Sequence, residues 1–224
     1  MFPLRDHRHT YKFPLVTYLI IVINAVVFFL EITAANQESF ITQYALIPIK
    51  VDFSDLTTLY PFITSQFLHA GFLHIISNMW FLRIFGDNVE EKMGSTLYLF
   101  VYLLSGVVGG LAQYMLSPNL NIPMLGASGA VAGVLGAYLV FYPHHKIDTL
   151  VFYGFFTNVV AIPASVMLLY WFAIQLFSGV GSVVVSQTGG VAFWAHVGGF
   201  AVGWIFAKLY PNSNNYAEEG EILS

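Results

Sequence analysis

Residues 93–145 read MGSTLYLFVYLLSGVVGGLAQYMLSPNLNIPMLGASGAVAGVLGAYLVFYPHH, without one Asp, Glu, Lys or Arg. A helix that crosses a bilayer needs about 20 mostly apolar residues, so this run has room for two. The polar stretch Ser117-Pro118-Asn119-Leu120-Asn121-Ile122-Pro123 divides it. Two further charge-free runs lie at 13–30 and 149–207. The second divides at Gly179 to Gly190, which is rich in Gly and Ser. One more apolar stretch starts near Phe72 and passes Trp80 towards Lys92. The expectation is an all-α membrane protein, a bundle of six transmembrane helices at about 13–34, 72–92, 95–116, 128–143, 159–178 and 191–210.

Composition agrees. Of the 224 residues 57% are hydrophobic and 9% charged, and the mean hydropathy is +0.71. Soluble domains carry about 25% charged residues and cannot hide this much apolar surface at this size. An ordinary soluble enzyme and a disordered chain are excluded. Eight Lys+Arg against twelve Asp+Glu leave no basic face for phosphates, so no nucleic-acid partner is expected. With no cysteine, disulfides, thiolate nucleophiles and Cys-ligated metal sites are excluded.

Residues 13–34 carry an apolar run longer than a signal-peptide core, with no A-x-A cleavage site after it. They read as a retained span. Basic residues then set the orientation. Arg5, Arg8, Lys12, Arg83, Lys92, Lys146 and Lys208 all fall on one side if both ends are cytoplasmic, and Lys50 alone falls on the other. The expected organisation is a cytoplasmic tail at 1–12, a six-helix domain at 13–210 and a cytoplasmic tail at 211–224, with no soluble domain attached. The long 35–71 loop is expected to have its own structure or task. Residues 147–158 read as an interfacial segment.

Polar side chains inside a membrane are costly and mark function. His74 and Asn78 open span two, Ser128 opens span four within Gly126-Ala127-Ser128-Gly129, and His196 comes early in span six. These three spans run from outside to inside, so the four residues share a depth. Span four, at about 1.5 Å per residue, reaches roughly 24 Å, short of the ~30 Å hydrocarbon core. Ser128 therefore sits below the outer surface, and a recessed, wetted cavity is expected there.

His74 and Asn78 are one turn apart and share a helix face. Ser128 at a helix start meets unpaired N–H groups and a positive dipole end, which suit a hole for a developing oxyanion. Gly129, Gly133 and Gly136, with Gly199 and Gly203, form small-residue ridges that let helices approach. A nucleophile and its base need such an approach, to about 2.6–3.2 Å.

Each feature has a plainer meaning. A Ser among glycines packs and bonds its own backbone, a His in a span lines a pore, and glycine ridges pack helices. His69 and His74 are five apart, a poor helical ligand spacing, and no carboxylate is near them in sequence, so no zinc site is expected. His7, His9, His144 and His145 receive no chemistry. On the residues alone, an intramembrane Ser–His hydrolase and a transporter or channel both remain open. A transporter would favour internal repeats and paired carboxylates within spans, and none is evident.

The ordered set His69-x4-His74-x3-Asn78, Gly126-x-Ser128-Gly129 and Ala195-His196-x2-Gly199-x3-Gly203 resembles the rhomboid family of intramembrane serine proteases, over about residues 13–210. The resemblance implies a six-helix, bacterial-type core in a cell membrane, with the site open to the extracytoplasmic side. It implies Ser128 as nucleophile, His196 as general base and then acid, and His74, Asn78 and the Ser128 N–H as oxyanion donors. Gly126 would allow the turn before the nucleophile, Gly129 and Gly199 the helix contact, and His69 a supporting role. Substrates would be transmembrane or juxtamembrane segments of other membrane proteins, with no metal or cofactor. A catalytically silent relative that binds membrane proteins is the alternative.

The resemblance further implies that 35–71 is a membrane-embedded loop, Gly179 to Gly190 a flexible cap, and span five, with Pro163, a lateral gate. Two departures stand out. The 35–71 loop has neither Trp nor Arg, and the position four after the nucleophile, where some relatives stack an aromatic on the His, is Ala132. Trp194 or Tyr170 is then expected to orient His196.

Overall fold

The computed structural model describes residues 2–8, 10–153, 156–184 and 192–211. The elements in chain order are β1 (Phe2–Asp6), α1 (Leu15–Thr33), α2 (Gln37–Tyr44), α3 (Pro61–Thr64), α4 (Phe72–Met93), α5 (Ser95–Leu116), α6 (Ser128–Phe141), β2 (Lys146–Tyr153), β3 (Phe156–Pro163), α7 (Ala164–Val184) and α8 (Phe193–Leu209). Among the described residues three helical stretches are long and apolar enough to cross a membrane: Leu15–Thr33, Ser95–Leu116 and Ala164–Gly181. The apolar helices α6 and α8 are shorter, and α4 carries Arg83, Asp87, Glu90, Glu91 and Lys92 in its second half.

α6 is the hub. Every residue from Gly129 to Tyr138 is buried, and the helix packs against α4, α5, α7 and α8. Its Gly, Ala and Val side chains leave the backbones of neighbours close. A Cβ at Gly199 would overlap the Gly129 carbonyl oxygen, and one at Gly203 would overlap that of Gly133. Around this hub Phe85, Tyr98, Tyr102, Leu135 and Tyr138 are fully buried. The outward residues are apolar too, among them Leu15, Phe29 and Leu30 on α1 and Val166 and Phe177 on α7. Such a surface suits surroundings of lipid.

Polar ties fix the helix ends. The first N–H groups of a helix lack intrahelical partners, and α1 has no side-chain cap of its own. The buried Glu90 of α4 supplies one from afar: its carboxylate accepts from the Val16 and Thr17 N–H groups at 2.9 and 2.8 Å, and from Thr17 Oγ1 at 2.8 Å. Ser95 Oγ donates to the same carboxylate at 2.7 Å, joining the start of α5 to this node.

The all-α expectation is corrected by an antiparallel sheet of order β1-β2-β3. β2 and β3 pair from Lys146↔Pro163 to Tyr153↔Phe156, so 147–158 is largely strand rather than an interfacial segment. The span expected at 159–178 becomes helical only from Ala164. The cause lies in composition: Ile147, Thr149, Val151, Thr157, Val159, Val160 and Ile162 are β-branched and favour a pleated surface. Pro163 therefore closes a strand and precedes α7 instead of lying within it. Residues 2–6, read as part of a tail, form β1 on β2. Arg5 and His7 both reach the Asp148 carboxylate at 2.7 Å. Arg8 donates to Asn88 at 2.8 Å and Glu91 at 2.7 Å, holding the chain start on the end of α4.

The 35–71 loop is built, with α2, α3 and three short 3-10 turns. Leu46 and Met124 exchange backbone hydrogen bonds at 3.0 and 2.8 Å, and Gly126 N–H donates to the Ser65 carbonyl at 2.9 Å. The loop thus braces the segment that leads into α6. Of the stretch expected as a cap, residues 179–184 continue α7 as helix; 185–191, and the tail from 212, lie outside the described residues.

Candidate active site

Ser128 is the first residue of α6. Gly126, two before it, has φ +123°, a conformation L side chains rarely adopt. A Cβ there would also come within 2.7 Å of the His74 ring. The Gly in Gly126-x-Ser128 thus serves both the turn and the fit against α4.

Ser128 Oγ and His196 Nε2 are 2.7 Å apart, the separation at which the hydroxyl donates its proton to the ring nitrogen. His196 stands on α8, just under one turn before the Gly199 contact that brings α8 against α6. Its other nitrogen, Nδ1, lies 2.7 Å from Gln175 Oε1. The Trp171 ring lies 5.8 Å from the imidazole, tilted by 35°.

His74 and Asn78 face the same region from α4. Ala70 N–H donates to His74 Nδ1 at 3.4 Å, so the neutral ring carries its proton on Nε2, the atom beside Gly126. Asn78 is buried, and its Nδ2 has no hydrogen-bond partner among the described residues. An unpaired buried donor costs free energy; two side-chain donors beside the turn into Ser128 form a place for an anionic oxygen. The start of α6 adds free N–H groups and the positive end of its dipole.

His69 is fully buried and its ring stands 5.1 Å from that of His74. Its backbone N–H donates to Glu31 Oε2 at 3.0 Å, tying α1 to the segment before α4. The structure thus brings Ser128, His196, His74, Asn78, Gly126, Gly129 and Gly199 together, with His69 one layer behind.

The expected orienting residues are corrected. Tyr170 is half exposed, and Trp194 uses its backbone N–H on Gln113 Oε1 at 3.1 Å. The side chains placed against the His196 ring are Gln175 and Trp171. Gln175 could have been found, as an amide in the charge-free run 149–207. Trp171 is one residue from Tyr170, a step of about 100° around a helix that only packing resolves. Glu31, a carboxylate within the expected span 13–34, could have been found in the same way; Glu90 could not, since its partners are far along the chain.

A family model described as the Rhomboid domain matches residues 56–213. Among similar proteins, the rhomboid protease GluP of Bacillus subtilis is 35% identical over 129 residues, 56% of this chain and 24% of that protein. Rhomboid-like protein 11, chloroplastic, of Arabidopsis thaliana is 43% identical over 75 residues, 34% of this chain and 26% of its own length. The presenilin-associated rhomboid-like protein, mitochondrial, of Mus musculus is 27% identical over 162 residues, 68% of this chain and 41% of its own. The chain spans about a quarter to two fifths of the length of these curated relatives.

Proposed function

The chain belongs to the rhomboid family, and on that premise we propose that it is an intramembrane serine endopeptidase working through a Ser128–His196 dyad. The observation that carries this reading is the 2.7 Å contact between Ser128 Oγ and His196 Nε2. The bundle crosses the membrane six times, at α1, α4, α5, α6, α7 and α8, with both ends of 13–210 on the cytoplasmic side. Basic residues at Arg5, Arg8, Lys12, Arg83, Lys92, Lys146 and Lys208 support that orientation. Ser128 then lies below the extracytoplasmic surface of a bacterial cell membrane.

His196 Nε2 takes the Ser128 proton as Oγ attacks the scissile carbonyl carbon. The carbonyl π pair moves onto oxygen, and His74 Nε2–H, Asn78 Nδ2–H and the Ser128 N–H stabilise that charge. On collapse the C–N bond breaks and the imidazolium returns its proton to the leaving amine. Water, deprotonated by His196, then adds to the acyl-enzyme carbonyl, and Ser128 leaves with its proton restored. No metal or cofactor is needed for these steps. The substrates are transmembrane or juxtamembrane segments of other membrane proteins. A peptide bond within a regular helix is shielded, so Gly, Pro or small polar residues stand near the cut.

The test is cleavage of a single-span reporter co-reconstituted with the protein in liposomes. Wild type cuts it and Ser128→Ala does not. A folded wild type that leaves several helix-weakened reporters intact contradicts the reading and favours a silent, membrane-protein-binding relative.

A further inference from the structure

The imidazole of His196 is held from α7 by two side chains one turn apart. Gln175 Oε1 sits 2.7 Å from Nδ1, and Trp171 covers a ring face at 5.8 Å. His196 and Gln175 are each 9% exposed. A neutral imidazole carries one proton. For Nε2 to accept from Ser128 Oγ, that proton must reside on Nδ1 and needs an acceptor. In triads a carboxylate supplies it, and in Cys-His-Asn arrangements an amide does. Among the described residues the group at hydrogen-bond distance from Nδ1 is the Gln175 amide oxygen.

We propose that Gln175 is a positioning residue that fixes the His196 tautomer and ring orientation, with Trp171 supplying the aromatic cover that Ala132 cannot. This rests on the reading of Ser128 and His196 as nucleophile and base. Ser128 rides on α6 and His196 on α8, whereas both orienting side chains ride on α7. The base is therefore correctly protonated only while α7 is seated on α8. An amide in an apolar helix is costly unless paired, and here it pairs with the side chain placed to accept the Ser128 proton.

The experiment uses the full chain in phospholipid vesicles, as wild type, Gln175→Met and Gln175→Glu. Nitrogen-15 NMR of labelled histidines reads the tautomer, with the His196 signals identified by their loss in His196→Ala. Wild type shows Nδ1–H at His196, and Gln175→Met shows an increased Nε2–H population. An unchanged tautomer in Gln175→Met, or Nε2–H in wild type, overturns the proposal whether or not the protein cleaves anything. With the single-span reporter, Gln175→Met lowers kcat at least about tenfold, the wrong tautomer costing up to about 10⁴ in a triad, and leaves KM within about twofold. Gln175→Glu restores part of kcat and moves the acidic limb of kcat/KM to higher pH, because a carboxylate on Nδ1 favours the imidazolium. Wild-type kcat and pH profile in Gln175→Met also overturn it. Absence of cleavage by wild type, with the Nδ1–H tautomer intact, counts against the protease reading and not against the Gln175 assignment.

Discussion

The α-carbon of Gly199 lies against the carbonyl oxygen of Gly129, so closely that no Cβ fits between them. Gly129 follows Ser128 directly, and Gly199 is three residues past His196. This backbone contact is what sets the 2.7 Å between Ser128 Oγ and His196 Nε2. Two helices carrying side chains there would stand further apart, and the hydroxyl would lose its base.

Gly199→Ala is therefore expected to damage both stability and activity. Overpacking costs about 1–3 kcal/mol. Reporter cleavage falls further than the loss of folded protein explains, since the base must lie within hydrogen-bond reach. Thermal unfolding in detergent and cleavage of folded protein in liposomes measure the two effects; a variant with wild-type values of both removes the contact from the account.

Asn78→Ala separates function from stability. The Asn78 Nδ2 is a buried donor without a partner among the described residues, a group that costs about 1–3 kcal/mol to leave unpaired. Its removal leaves Tm unchanged or raised. If Nδ2 serves the oxyanion, kcat falls by about 10²–10³ with KM little changed, and His74→Ala behaves alike. A fall in Tm with kcat preserved would assign Asn78 to structure instead.

Glu90→Ala removes the cap that α1 borrows from α4. Hydrogen bonds to a charged group contribute about 1.5–3 kcal/mol, and this carboxylate accepts four. A loss of at least about 3 kcal/mol is expected, read as a lowered Tm and faster hydrogen exchange at 16–18. Wild-type exchange there would show that the cap is dispensable.

Asp6 makes the attachment of β1 sensitive to pH. Burial first, and then the neighbouring Asp87 carboxylate, push its carboxyl up to about 6 from 3.8, although Tyr138 and Asn88 donate to it. The folded state thus holds this proton more tightly than the unfolded chain. Its contribution to stability is full below 3.8 and is lost as pH rises through about 6. Asp148 opposes this, because the Arg5 and His7 hydrogen bonds hold its carboxyl below the ordinary value, and its contribution is lost in acid. Comparing wild type with Asp6→Asn isolates the first effect: the variant has the higher Tm above pH 6, and the difference closes below pH 4. A difference independent of pH contradicts the assignment.

The helices and the site differ in how plainly the sequence wrote them. Charge-free apolar runs bounded by polar punctuation located α5 at its observed bounds, 95–116. Four polar side chains in apolar surroundings, with the Gly that fits beside them, located most of the site. Hydropathy failed at 149–163, where a charge-free run folded as strand is as apolar as a helix and only the density of β-branched residues distinguishes it. The orienting side chains failed for another reason. Trp171 and Tyr170 differ by one step of helical rotation, and Gln175 gains meaning only when α7 lies on α8. Glu90 was illegible because the N–H groups it caps are 73 and 74 residues away.

If Ser128 is a nucleophile activated by His196, a fluorophosphonate reacts with it. The protein in liposomes is treated with the reagent, digested, and the modified residue located by mass spectrometry. One adduct is expected, on Ser128, absent from Ser128→Ala and strongly reduced in His196→Ala. Folded wild-type protein that forms no adduct at Ser128, or that labels equally well in His196→Ala, would contradict it.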